Sequence, residues 1–250
     1  MKFNDLFDTK SKFYSKYRPQ YENEFIAYLN KNYFNDKSKI VADIGCGTGL
    51  LSKQILDCNM KVIGIEPNEE MLNEALTYLK DYANFTAINA TAENTTLNDN
   101  SIDIITVGQA FHWFELDRFK KESLRILKKD GLVVLVWNRK CKGDMENDRK
   151  VIVEKYRSIM DSFNCSWKER EEGINKFFNG DYIKLEFDNP LIETWEEFIG
   201  RTLSASHAIN ISDERIEEYI NEWKIFFDKY KKDGKVTTRN KTIAFIGKIK

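Results

Sequence analysis

The chain has 250 residues, of which 42% are hydrophobic and 32% charged, with a formal net charge of -1. That is enough for one α/β domain with an elaboration, or for two small domains, at a composition ordinary for a soluble globular protein. Near-neutrality excludes a broadly basic nucleic-acid surface, and no apolar run reaches the roughly 20 residues of a membrane helix. The first residues, MKFNDLFDTKSKFYSKYRPQ, carry no apolar h-region, so the expected location is the cytoplasm. Cys46, Cys58, Cys141 and Cys165 show no C-x-x-C pairing. They are read as reduced thiols rather than as a zinc site or a disulfide framework.

Phe13, Tyr17, Tyr21, Phe25 and Tyr28 recur at helical spacing and predict one or two helices up to Asn35. A strand at Lys39–Ile44 runs into GCGTG, and a helix follows over Leu50–Leu56. A second strand, Lys61–Ile65, ends at Glu66, and Pro67 opens a helix through Leu79. Next come a strand in FTAINA, a polar connection, the β-branched run Ile102–Val107, and an aromatic segment with a helix over Phe111–Leu127. A Lys-Lys-Asp-Gly turn leads to the run Leu132–Trp137. Strands near 40, 62, 86, 104 and 134 alternating with helices predict a parallel sheet covered on both faces. Burial on both sides is why these strands read as continuous apolar runs. After Asn138 a charged, mainly helical stretch reaches about Asn179. A strand at Tyr182–Phe187, helices around Thr194–Leu203 and Ser212–Tyr230, and the terminal strand in VTTRNKTIAFIGKIK complete the chain. The expected division is N-terminal helices over 1–35, a core over 36–140, a helical cap and substrate region over 141–235, and a returning strand over 236–250.

The most specific motif is VADIGCGTG. A strand delivers Asp43, and Gly45, Gly47 and Gly49 turn the chain into a helix whose first N–H groups can meet a negative group. A dinucleotide fingerprint, G-x-G-x-x-G, would need glycine where Leu50 stands. By itself the loop is a tight strand–helix turn. Glu66, at the end of the next strand, occupies the place from which an acid accepts both ribose hydroxyls. Alone it reads as a helix N-terminal charge before Pro67. Loop and acid in register point to a nucleotide site.

The loop, Glu66, SIDIITVGQAFHWF and LKKDGLVVLVWN together resemble the class I S-adenosylmethionine (AdoMet)-dependent methyltransferases over about Tyr14 to Asn138. The fold this implies is α/β: a Rossmann-like, doubly wound, mostly parallel sheet with an antiparallel C-terminal strand and a helical cap. The resemblance implies that Asp43, Gly45, Cys46, Gly47 and Gly49 hold the methionine part of AdoMet. Glu66 binds the ribose; Pro67, Asn68 and Met71 lie against the adenine; Thr91, Ala92 and Glu93 flank the adenine edge, where many relatives carry aspartate in place of Thr91. Gln109 approaches the methionine part or the methyl group. YSKYRPQY, GQAFHWF, VLVWN and FIGRTLSASHA look like the trans-aconitate methyltransferase-like group, whose members methylate small molecules. In that group the Y-x-x-Y-R-P stretch lids the cofactor pocket, which implicates Tyr14, Tyr17 and Arg18.

Methyl transfer from a sulfonium is an in-line displacement governed by placement. His112, just past the fourth strand, is the candidate base or substrate-orienting group, or a member of the aromatic cluster with Phe111, Trp113 and Phe114. Trp113 and Trp137 are candidate pocket walls or core. Tyr17 shares a helix face with Tyr14. Arg18, Arg139 and Arg201 are candidates for pairing with carboxylates or an anionic substrate, and Ser206 and His207, beside Ser204, for the substrate side. No metal is expected. The leading expectation is methylation of a small molecule, anionic acids included, at a carboxylate or hydroxyl oxygen. An NAD-dependent oxidoreductase and a non-catalytic AdoMet-binding module remain the other two readings. Neither a nucleic-acid nor a membrane partner is expected, and oligomeric state is left open.

Overall fold

Side chains on successive strand residues point to opposite faces, so a run such as Ile-Val-Ala-Asp-Ile can be apolar throughout only if both faces are covered. The computed structural model, which describes residues 17–156, 166–205 and 208–250, covers both. Its main sheet takes in β1 (Ile40–Ile44), β2 (Lys61–Ile65), β3 (Phe85–Ile88), β4 (Ile102–Gly108), β5 (Leu127–Lys140), β6 (Ile183–Asp188) and β9 (Asn240–Gly247). The strands stand in the order β3–β2–β1–β4–β5–β9–β6. The pairs β1–β2, β1–β4, β2–β3 and β4–β5 are parallel, so the sheet is mostly parallel with an antiparallel strand.

Alternation sorts each strand's residues between two apolar layers. Ala42, Ile44, Ile105, Val107, Val133, Leu135 and Trp137 face one layer, with α4 (Leu116–Ile126) and α6 (Trp167–Phe178). Val41, Ile104, Val134 and Val136 face the other, with α1 (Asn23–Asn32) and α2 (Leu50–Leu56). Phe25 and Leu29 of α1 are fully buried there, each contributing about 1.5–3 kcal/mol of hydrophobic stabilisation. The remaining helix on this sheet is α3 (Glu69–Tyr78). Its N-cap is Asn68, whose side chain accepts from Met71 N, so Pro67 stands before the helix rather than opening it.

The expected Lys-Lys-Asp-Gly turn lies within β5. Ile102 pairs with Leu127 and Ile104 with Leu132, so two steps on β4 face five on β5 and three residues bulge out.

The chain falls into two compact units. The sheet unit comprises Gln20–Asn138, Cys165–Phe187 and Thr242–Lys250; the helical unit comprises Met1–Pro19, Arg139–Asn164 and Asp188–Lys241. These boundaries differ from the expected ones. Residues 20–35 and α6 with most of β6, assigned from sequence to N-terminal helices and cap, belong to the sheet unit. The reason for α6 is its apolar face: Ile174, Phe177 and Phe178 are at most 1% exposed in one layer of the sheet. A capping box between Ser166 and Glu169 starts this helix.

In the helical unit, α5 (Asp144–Lys155), α7 (Trp195–Leu203) and α8 (Ile216–Tyr230) accompany a small antiparallel pair, β7 (Leu191–Glu193) with β8 (Val236–Thr238). Tyr156, Phe198, Tyr219, Trp223, Phe226 and Phe227 make its core. Thus only the end of the predicted C-terminal strand region returns to the main sheet; Val236–Thr238 pairs locally. No described helix is long and apolar enough to cross a membrane.

Candidate active site

In an open parallel sheet, ligands bind beyond the carboxyl ends of the strands where the winding reverses. Here the order reverses between β1 and β4, so the segments after these two strands share one crevice. The loop Gly45–Gly49 follows β1 and Gln109–Phe114 follows β4.

Gly45, Gly47 and Gly49 all have positive φ, at 69°, 55° and 85°. The conformation suits glycine because a Cβ would crowd the backbone. A Cβ on Gly45 would also lie 2.6 Å from Ala110 Cβ, so loop and β4 segment meet directly. Gly45 N and Cys46 N donate to Ile65 O at 2.8 and 3.1 Å, tying the loop to β2. Cys46 Sγ lies toward β2, 2.8 Å from where a Gly64 Cβ would be, and burial pushes its thiol pKa up. Among the described residues Thr48 Oγ1 is buried without a partner.

Glu66 closes the loop from the β2 side. Its Oε2 accepts from Gly47 N and its Oε1 from Asn68 N, both at 3.0 Å. Burial raises its pKa while these two backbone donors oppose the rise. Asn89 Nδ2 donates to Pro67 O at 3.2 Å and so secures the next turn. Met71 lies close to the loop, its Cε 3.8 Å from a Cβ placed on Gly47. Thr91 forms an isolated bridge with Asn94, Ala92 is buried, and Glu93 accepts from Glu115 N at 2.9 Å.

Asp43 lies under the loop, 1% exposed. Ser52 Oγ donates to it at 2.5 Å and Thr106 Oγ1 at 2.9 Å. Burial raises its pKa to about 6 against these hydrogen bonds, and Glu66 adds to the rise. The folded carboxyl is therefore held above its unfolded value, and the folded state binds the extra proton between about pH 4 and 6. Stability from this group is present below the unfolded value and lost as pH rises through the folded one, by up to about 3 kcal/mol. Asp43→Asn is expected to flatten that fall in urea unfolding at pH 4, 5, 6 and 7. Parallel curves for the two proteins would contradict the assignment.

On the β4 side Gln109 has φ of 62°, a strained value for a residue with a side chain. Its N donates to Val136 O at 2.9 Å and its Nε2 to Asn138 O at 3.4 Å. His112 follows in a short 3₁₀ turn, Phe111–Trp113, half-buried and with its ring centroid 5.2 Å from that of Trp113. Burial, then the charge of Arg170, lowers its pKa to about 4. At neutral pH this imidazole is uncharged. Trp113 is 56% exposed, an unusual setting for so large an aromatic side chain.

Trp137, expected as a candidate pocket wall, is core. It is 1% exposed, edge-on to Phe111, Trp167 and Phe245. Arg201 is likewise committed: both its Nε and Nη2 hydrogen-bond to Glu193, the latter at 2.7 Å, and both residues are buried. Tyr17, Arg18 and Arg139 belong to the helical unit. There Tyr17 Oη donates to Glu196 at 3.4 Å and its ring packs against Gly200, while Arg18 Nη2 donates to Ser204 O at 3.3 Å. Tyr14, Ser206 and His207 lie outside the described residues. Sequence reasoning missed Ser52, Thr106 and Arg170. Ser52 and Thr106 reach Asp43 only through β1–β4 pairing and the turn of α2, which leave no local motif.

A glycine-lined loop closed by a buried carboxylate, at the winding reversal of a Rossmann-like sheet, defines a nucleotide-type ligand site. Residues 42–135 match the family model described as a methyltransferase domain. A protein of Dictyostelium discoideum, provisionally named a methyltransferase, is 29% identical over 224 residues, 89% of this chain and 78% of its own. An uncharacterized methyltransferase of Mycobacterium tuberculosis is 34% identical over 125 residues, 50% of this chain and 49% of its own, so the match spans about half of that relative. Among solved structures, one from Anaeromyxobacter dehalogenans, provisionally named a type II methyltransferase, superposes with a TM-score of 0.66 at 19% identity, over 92% of this chain and 97% of the other. A Haemonchus contortus N-methyltransferase, in complex with phosphomonomethylethanolamine and S-adenosylhomocysteine, gives 0.57 at 18% identity over 100% of this chain and 61% of its own. The match over residues 42–135 and the likeness to these proteins support a class I AdoMet-dependent methyltransferase, and imply AdoMet as cofactor.

Proposed function

We propose that the chain methylates a small molecule, with a carboxylate or hydroxyl oxygen as the acceptor atom. The observation that carries the cofactor half is the Glu66 carboxylate bridging Gly47 N and Asn68 N beside the open glycine loop. The fit is chemical. The loop offers backbone N–H groups and a buried, unpartnered Thr48 hydroxyl for an amino-acid moiety, and Glu66 has acceptor capacity left for vicinal hydroxyls. Asp43 and Gly45–Gly49 hold the methionine part, Cys46 through its backbone. Glu66 takes the ribose, Pro67, Asn68 and Met71 the adenine face, and Thr91, Ala92 and Glu93 its edge. Gln109 turns toward the methionine part.

When bound, AdoMet supplies a methyl group already activated on a sulfonium. What this chain adds is placement of the acceptor oxygen in line with it and exclusion of water. A carboxylate acceptor needs no base. A hydroxyl needs its proton taken, and an imidazole with a pKa of about 4 is a weak base for that. His112 is therefore assigned to orienting the acceptor by hydrogen bonding, with Trp113 beside it. The likeness of YSKYRPQY, GQAFHWF and FIGRTLSASHA to the trans-aconitate methyltransferase-like group supports a small-molecule acceptor.

The test is calorimetric titration with S-adenosylhomocysteine (AdoHcy), with NAD as control, followed by a screen of small acids and phenols for AdoHcy formation. Micromolar AdoHcy binding without an NAD signal, and turnover of some acids or phenols, is the expected result. A folded sample that ignores AdoHcy would overturn the cofactor half; binding without turnover of any acceptor class would favour a non-catalytic module.

A further inference from the structure

Helix α6 lays an apolar stripe on the sheet unit, and one cation interrupts it. Trp167 packs edge-on to Trp137 at 6.0 Å, and Phe177 edge-on to Phe111 at 5.3 Å. Gly173 also faces Phe111, whose Cε1 would be 3.8 Å from a Cβ there. Arg170 is three residues from both Trp167 and Gly173, hence on the same helix face. That face leads from Trp137 to Phe111, the neighbour of His112.

Among the described residues Arg170 has no ion pair, and its Nε is buried without a hydrogen-bond partner. The nearby carboxylates of its own helix are engaged elsewhere. Glu169 caps Ser166 at 2.6 Å, Glu171 pairs with Lys184 at 3.1 Å, and Glu172 lies 3.8 Å from Lys168. The charge of Arg170 nonetheless reaches the His112 imidazole. Burying the Nε donor without a partner is costly, because it loses water and gains nothing. Lys140, also partly buried and without an ion pair among the described residues, differs: Glu146 and Glu193 act on it alongside Arg149 and Arg201.

We propose that Arg170, with His112 beside it, is the subsite that takes an oxyanion group of the methyl acceptor, a carboxylate or a phosphate. The planar fork of an arginine matches either group with two parallel hydrogen bonds. An anion held there would oppose the charge of Arg170 at His112, which follows the carboxyl end of β4. The inference rests on the methyltransferase reading for the word acceptor, but anion binding itself does not.

The test uses the full chain carrying His207→Gln, so that His112 is the remaining histidine signal in imidazole NMR. Succinate, inorganic phosphate and chloride are titrated at constant ionic strength, with and without AdoHcy, and an Arg170→Gln and an Arg170→Lys variant are compared. Arg170 bears on His112 from α6. Because Arg170 lowers the His112 pKa, an anion that neutralises it should raise that pKa, saturably at millimolar succinate or phosphate. Chloride should do much less. Arg170→Gln should weaken this response about tenfold or more, with Arg170→Lys intermediate. A folded wild type showing no saturable response to either oxyanion, or an equal response in Arg170→Gln, would overturn the proposal. The titration without AdoHcy separates the two ideas. An Arg170-dependent response in a protein that ignores AdoHcy would retain the anion subsite and refute the cofactor reading. AdoHcy binding without an anion response would do the reverse.

Discussion

Gly45→Ala is expected to lower the stability of the folded chain by about 3 kcal/mol, and Gly47→Ala by only about 1 kcal/mol. Both residues have positive φ, where a side chain costs about 1–2 kcal/mol. They differ in what a Cβ would meet. At Gly45 it would lie 2.6 Å from Ala110 Cβ and 3.2 Å from Phe114 Cζ. Ala110 Cβ is fixed directly to the backbone and cannot rotate aside, so overpacking adds about 1–3 kcal/mol. At Gly47 the nearest atom is the flexible Met71 Cε at an ordinary 3.8 Å. Urea unfolding of the two variants measures the difference directly. Equal losses would mean that the approach of the loop to Ala110 does not restrict position 45.

Glu66→Ala is expected to weaken AdoHcy about a hundredfold, and Glu66→Gln about tenfold. Each hydrogen bond to a charged acceptor contributes about 1.5–3 kcal/mol, and a tenfold change in affinity is about 1.4 kcal/mol. Losing the carboxylate removes the acceptor for the ribose hydroxyls and also releases Gly47 N and Asn68 N, which shape the loop. Glutamine retains one acceptor oxygen but replaces the other with a donor that opposes a backbone N–H. Calorimetry below each variant's unfolding temperature, checked by circular dichroism, separates lost affinity from lost fold. Unchanged AdoHcy affinity in Glu66→Ala would leave Glu66 as a loop tie without a part in binding.

The candidate cofactor loop and its acid were legible because their information is local. Asp43, three glycines at alternate positions and an acid at the end of the next strand lie within 24 residues of chain, from Asp43 to Glu66. The spacing reflects backbone geometry that cannot be met in many other ways. Where several side chains share one role, local reading failed. Trp137 at a strand end reads equally as pocket wall or core, and only the rings of Phe111, Trp167 and Phe245 around it decide for core. Arg201 looks available until Glu193, eight residues earlier but across the β7–α7 corner, is seen to hold it.

Sequence alone determined the alternation of strands and helices, the turn after β1, the acid after β2 and the aromatic segment after β4. These follow from side-chain period, glycine conformation and strand-end position, all properties of short stretches. Tertiary structure decided the strand order that brings the β1 and β4 turns together, and the union of α6 with the sheet rather than with the later helices. It also decided the burial that raises the Asp43 pKa and leaves His112 uncharged at neutral pH. Arg170 shows the difference most sharply. In sequence it is one of many charges in a charged helix, WKEREEGINKFF. Only packing of that helix face on the sheet buries its guanidinium Nε and lets its charge act on His112, because burial and pairing depend on neighbours that lie far away in the chain.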